Sequence, residues 1–198
     1  VIAFLLLRHA AHDNVGAFLA GRRPGVELGP DGLAQARRLG ERLRGERIEA
    51  LFTSPRERAR QTAAAIAQSC ALQPAEIMDG LDEIDFGGWS GRIFGELNHE
   101  PSWRRWNEAR SLASTPAGER MVDVQARVLA AMELMAKGRE NATLALVSHA
   151  DVIKAAVMYH LGLRIDDWWR IDIAPASITR LVIDAQGARL TGLNERVD

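Results

Sequence analysis

Two short, almost wholly apolar runs constrain the fold of this chain more than any other feature: Ile2-Ala3-Phe4-Leu5-Leu6-Leu7 and Thr143-Leu144-Ala145-Leu146-Val147. Each is too short for a buried helix and lacks polar alternation, so each reads as a strand covered on both faces. Ala50-Leu51-Phe52-Thr53 has the same character. Apolar residues at helical spacing fill the intervals. Pro30-Asp31 opens one such segment, which continues through Leu33, Ala36, Leu39, Gly40 and Leu43. Ser54-Pro55 is expected to cap a second helix, from about residue 56 to 70. Further helices are predicted over 119–137 and over 151–161, the latter ended by Gly162. Residues 76–78, 171–173 and 177–183 read as additional strands, with a hairpin turn at 185–187. A short helix is expected over 93–99, and 101–115 shows only weak periodicity. Strands alternating with helices predict an α/β protein, a three-layer α/β/α sandwich whose mostly parallel central sheet carries helices on both faces. The 198 residues contain no repeat, low-complexity tract or linker, so one domain over 1–198 is expected.

Charge narrows the partners. With 25 Lys and Arg against 26 Asp and Glu, the net charge of -1 creates no field for nucleic acid or anionic membrane, and neither is expected as a partner. No apolar run approaches the ~18 residues of a membrane span. Residues 2–7 have no basic region before them and run straight into Arg8-His9, unlike a signal peptide. The one cysteine, Cys70, sits in an Ala-rich stretch and is expected to be a buried small hydrophobe, which fits a cytoplasmic home. An anionic ligand must therefore be met by a local cluster of cations.

Open α/β sheets bind ligands beyond the carboxyl ends of their strands. Arg8-His9 follows the first apolar run, Ser54-Pro55 the second, and Ser148-His149 the last. A histidine directly after a buried strand is costly without a partner. Two of them, flanked by arginines, point to a site rather than to structural hydrogen bonding. Arg8 adjoins His9, and Arg58 lies in the first turn of the helix after Ser54-Pro55, able to turn back to the same edge. Arg56 and Arg60 are expected to face solvent. Guanidinium forks match phosphate oxygens. A neutral imidazole attacks phosphorus through one nitrogen while the other donates the hydrogen bond that fixes its tautomer. A carboxylic acid in a nearby loop can protonate the leaving oxygen. Glu83, in the turn-rich segment 81–91, is the candidate acid, with Asp82 and Asp85 rivals on spacing alone. The other chemistry these residue types allow is a metal cluster of His9, His12, Asp13, His149 and Asp151, opposed by the arginines around it. A serine hydrolase is poorly supported, because no Gly-x-Ser-x-Gly elbow is present.

Taken in order, four motifs resemble the histidine phosphatase (phosphoglycerate-mutase-like) superfamily. They are Leu6-Leu7-Arg8-His9-Ala10, Ser54-Pro55-Arg56-Glu57-Arg58-Ala59-Arg60-Gln61-Thr62-Ala63, Leu81-Asp82-Glu83-Ile84-Asp85-Phe86-Gly87-Gly88-Trp89-Ser90-Gly91, and Val147-Ser148-His149-Ala150-Asp151-Val152-Ile153. The resemblance implies that His9 becomes a phosphohistidine, that Arg8, Arg58 and His149 surround the phosphate, and that Glu83 is the general acid that later activates water. It implies no metal and no cofactor, and a small phosphorylated substrate as partner. The segment from Leu19 to Val26 and Ala174-Pro175-Ala176-Ser177 resemble a bacterial branch whose members carry the name phosphomutase. On this resemblance Arg22, Asn14 and His12 are the expected substrate-binding residues. His12 and Asp13 either line the pocket mouth or are exposed. Ala10 and Ala150 stand where most members have glycine, Ala11 where an acidic residue is common, and Asn14 is out of step with the family's asparagine, at whose spacing Val15 falls. The stretch 99–118 lacks the insertion of the longer mutases, favouring a phosphatase over a phosphomutase. A non-catalytic relative that binds phospho-ligands is the remaining class, opposed by the presence of His9, Arg58, Glu83 and His149. Trp103, Trp106, Trp168 and Trp169 read as core or interface aromatics and leave room for a homodimer.

Overall fold

The computed structural model describes residues 1–13 and 15–197; Asn14, one of the expected substrate-binding residues, lies outside the described residues. The chain runs β1 (Ile2–Arg8), α1 (Pro30–Leu43), β2 (Ile48–Thr53), α2 (Glu57–Cys70), β3 (Glu76–Ile77), α3 (Phe94–Leu97), α4 (Pro101–Glu108), α5 (Met121–Ala136), β4 (Ala142–Ser148), α6 (Ala150–His160), β5 (Ile178–Asp184) and β6 (Gly187–Glu195). The six strands form one sheet in the order β3-β2-β4-β1-β5-β6. Pairs β3-β2, β2-β4 and β4-β1 are parallel, whereas β1-β5 and β5-β6 are antiparallel. This is the expected α/β sandwich with a mostly parallel sheet.

Strand alternation explains the layers. On β1, Phe4 and Leu6 join the core packed by α5 and α6, while Leu5 and Leu7 join the core packed by α1 and α2. Leu144 and Leu146 of β4 point to the first core, and Ala145 and Val147 to the second. Both faces of the central strands are thus buried, which is why their sequences show no polar alternation. Trp89, Trp103 and Trp106 belong to the first core, where their rings meet edge to face. Among the described residues no helix is long and apolar enough to cross a membrane.

Several local expectations are corrected. Residues 171–173 are not a strand; they form an extended connection, and the strand that closes the sheet is β6. Residues 101–108 are a helix despite their weak periodicity, because Trp103 and Trp106 anchor one face in the core. Cys70 is half-buried at the end of α2, its Sγ 3.5 Å from the Gly40 carbonyl oxygen. The N-cap of α2 is Arg56, without a side-chain cap. Ser54 is committed elsewhere.

Candidate active site

Parallel register places the site. Arg8 is paired with Ser148 across β1 and β4, and Thr53 with Val147 across β2 and β4. The ladder continues one residue further, with the His9 amide donating to Ser148 at 3.0 Å and the Ser54 amide to Val147 at 2.9 Å. His9, Ser54 and His149 therefore leave three neighbouring strands at nearly the same height. The two imidazoles sit with ring centroids 5.1 Å apart and tilted by 58°.

His9 is buried, and its Nδ1 lies 2.7 Å from the carbonyl oxygen of Ala10. A carbonyl only accepts, so Nδ1 carries the proton and Nε2 the lone pair. Arg58 Nε donates to that Nε2 at 3.3 Å. Burial, reinforced by the Arg58 and Arg8 cations, holds the His9 pKa well below its ordinary 6.5. Ala10 and Ala150 have no positive φ, so the alanines that replace the family's glycines are unstrained.

Arg58 enters from the first turn of α2 with its side chain only 1% exposed. Its Nη2 donates to the Gly21 carbonyl at 2.9 Å and approaches His149 Nδ1 at 3.3 Å, while its Nη1 is buried with no partner among the described residues. Arg8 Nη1 donates to the Ile173 carbonyl at 2.6 Å, and its Nε is likewise unpartnered. The connection predicted as a strand thus serves to hold Arg8. His149 Nε2 lies 2.8 Å from Ser54 Oγ. Because Arg58 can only donate, His149 Nδ1 bears the lone pair and Nε2–H donates to the serine. The Ser54 hydroxyl then donates to Asp82 Oδ1 at 3.5 Å. Burial, then Arg58 and the other nearby cations, depress the His149 pKa well below 6.5.

Glu83 and Asp82 are separated by environment. Asp82 accepts the Glu83 amide at 2.7 Å and pairs with Arg56 at 2.8 Å and Arg22 at 3.2 Å. Asp85 accepts the Gly87 amide at 2.9 Å and is partly exposed. Glu83 Oε1 accepts the Ile84 amide at 2.8 Å, leaving Oε2 3.4 Å from His149 Nδ1 and 3.6 Å from Arg58 Nη2. Burial pushes the Glu83 pKa up to about 7, against the opposing pull of Arg58. Raised to about 7 and lining the cavity, Glu83 is suited to hold a transferable proton near neutral pH.

The expectations for Arg22 and Arg56 are corrected. Arg22 does not line the cavity; its Nε donates to the Glu83 carbonyl at 2.8 Å and its Nη2 to Glu119 at 2.9 Å. Arg127 donates to the same Glu83 carbonyl at 3.1 Å and to both Glu119 oxygens, at 2.8 and 3.1 Å. Two guanidinium groups bridged by one carboxylate thus fix the acid loop from behind. Arg56 turns inward to Asp82 rather than to solvent, whereas Arg60 is exposed. Sequence reasoning placed Ser54 at a strand end but gave it only a capping role, and it missed Glu119 and Arg127, since no spacing in the chain links residues 22, 83, 119 and 127. His12 is buried at the cavity, its ring stacked 6.3 Å from His9 at 23°, and the reading of it as exposed is overturned. Asp151 pairs with Arg110 at 3.0 Å. The described residues gather no group of three or more His, Cys, Asp and Glu side chains able to hold a metal ion.

Neutral buried histidines carry a stability consequence. Below pH 6.5 the unfolded chain binds protons that buried His9, His149 and His12 refuse, the last held at about 4, so stability falls with acid. Glu83 acts in the opposite sense between 4.5 and about 7, offsetting one of the three. Urea unfolding should show a loss of up to about 2.7 kcal/mol per pH unit between pH 6 and 5, two protons' worth. A flat profile would mean that these rings are charged in the folded state.

The family model "Histidine phosphatase superfamily (branch 1)" matches residues 4–196. Phosphoserine phosphatase 1 of Hydrogenobacter thermophilus is 28% identical, over 98% of this chain and 92% of the relative. The structure of YhfR from Bacillus stearothermophilus superposes with a TM-score of 0.91 at 26% identity, covering 98% of each chain. The mycobacterial glucosyl-3-phosphoglycerate phosphatase, in complex with VO3, gives a TM-score of 0.87 at 28% identity, again over 98% of each chain.

Proposed function

This chain belongs to the histidine phosphatase superfamily, and from that premise we propose that it hydrolyses phosphomonoesters through a phosphohistidine on His9. The observation that carries the reading is the contact of His9 Nδ1 with a backbone carbonyl, which assigns the tautomer. Its Nδ1–H is tied to the Ala10 carbonyl at 2.7 Å, so the unprotonated Nε2 faces Arg58 in the cavity. That relatives bear the names phosphoserine phosphatase and glucosyl-3-phosphoglycerate phosphatase supports phosphatase activity.

In the first step Nε2 attacks phosphorus, the P–O bond to the alcohol breaks, and Glu83 Oε2 gives its proton to the departing oxygen. Arg58 Nη1 and Arg8 Nε, buried without partners among the described residues, meet the equatorial oxygens as charge spreads onto them. In the second step the Glu83 carboxylate takes a proton from water, which attacks the phosphohistidine, and the N–P electron pair returns to Nε2. His149 and Arg58, sharing a contact of 3.3 Å, hold one another in place at the pocket.

The test is leaving-group dependence. Glu83→Gln should slow alkyl phosphates by about 10²–10⁴-fold and p-nitrophenyl phosphate far less, because an activated phenolate departs without a proton. For alkyl phosphates the wild-type rate should fall above pH about 7, where Glu83 loses that proton. Equal slowing of both substrate types would reassign the proton donor.

A further inference from the structure

Phosphate recognition consumes the cations of this cavity. Among the described residues its lining joins Arg8, His9, Arg58 and Glu83 to His12, Phe18, Leu19, Ala20 and Phe94. Both arginines lie at His9, one in contact with it and one adjacent in the chain. The other half of the lining, left to receive the alcohol portion, adds no cation among the described residues.

That half is also built rather than incidental. The Phe18 segment and the Phe94 segment cross as an isolated antiparallel bridge, with the Leu19 amide donating to Arg92 at 2.9 Å and the Phe94 amide to Ala17 at 3.2 Å. Phe94 leans on core residue Trp103, with centroids 6.1 Å apart. Phe18 meets the His12 ring at 5.8 Å, and His12 stacks toward His9 at 6.3 Å. Burial, followed by Arg58 and Arg8, keeps His12 uncharged, with its pKa at about 4. Three flat or apolar side chains, His12, Phe18 and Phe94, thus share the cavity wall with the nucleophile, His12 nearest to it. A carboxylate entering here would lose hydration without finding a counter-charge, whereas a phenyl ring would lose only contact with water.

Resting on the phosphatase reading above, we infer that the leaving alcohol is an uncharged group with an aromatic face, an arylalkyl or aryl phosphomonoester, received by Phe18, Phe94 and the His12 ring. Phosphomonoesters whose alcohol bears a carboxylate are poor substrates by the same argument.

Alkyl alcohols of comparable acidity isolate binding from chemistry, so the test compares 2-phenylethyl phosphate, ethyl phosphate, O-phosphoserine and 3-phosphoglycerate by kcat/KM at pH 6 with the full chain. The aromatic ester should exceed each of the others by at least about tenfold, on the scale of one well-filled apolar pocket. Phe18→Ala and Phe94→Ala should each collapse the ratio of 2-phenylethyl to ethyl phosphate toward one, mainly through KM, and Phe18→Leu should restore part of it if the alanine variant folds poorly. Turnover of O-phosphoserine or 3-phosphoglycerate at or above the aromatic ester would overturn the substrate class while leaving the phosphatase reading intact. A ratio unmoved by both alanine variants would overturn the wall. If no monoester is hydrolysed and no phosphohistidine forms, both readings fall.

Discussion

Replacing His9 by alanine lowers kcat by at least about 10³-fold, whichever phosphomonoester is offered. The size follows from the position of Nε2. Its lone pair is fixed by the Nδ1–H bond to Ala10, and burial with two adjacent cations keeps it unprotonated down to acid pH. Water entering the vacated space would lack that orientation and would need a base of its own. Activity left in His9→Ala should be insensitive to a further Glu83→Gln change, because residues that act as one unit do not contribute additively. Comparable rates for wild type and His9→Ala would remove His9 from the chemistry.

Arg58→Met ranks second, with an expected loss in kcat of about 10³–10⁵-fold. Its guanidinium lies 3.3 Å from His9, 3.3 Å from His149 and 3.6 Å from Glu83. Its unpartnered Nη1 suits the charge that develops on phosphoryl oxygens. Arg58→Lys should recover little, since an ammonium cannot reproduce the planar fork. The pH profile separates this role from mere packing. Arg58 lowers the His9 pKa and also lowers that of Glu83, so its removal should move both limbs of kcat/KM to higher pH. A decrease in rate with an unshifted profile would make Arg58 a structural residue.

The reach of the sequence is clearest at the strand ends. The apolar runs before His9 and His149 demanded buried strands, and two buried parallel neighbours in register bring the residues that follow them together, as the 5.1 Å ring separation records. Local pattern also located Arg58, because a first-turn residue of α2 points back to the edge from which that helix starts. What pattern could not carry were partnerships formed only by tertiary contact. Ser54 reads as a cap because serine before proline usually is one, yet its hydroxyl is taken by His149. Arg22 looks like a ligand-binding cation until Glu119 and the Glu83 carbonyl are seen to occupy it. Choosing Glu83 over Asp82 likewise needed the neighbours, since Arg56 and Arg22 keep Asp82 engaged while Glu83 is left with one oxygen free. Residues 171–173 have strand-like composition but join no strand of the sheet; the Ile173 carbonyl instead accepts from Arg8, a partnership that composition does not show.

Rapid quenching of the enzyme during turnover of a radiolabelled monoester tests the central claim most directly. Phosphate should be found covalently on His9 Nε2, lost in acid, retained in alkali, and missing from His9→Ala. Label on another side chain, or steady turnover with no labelled protein at any time, would contradict it.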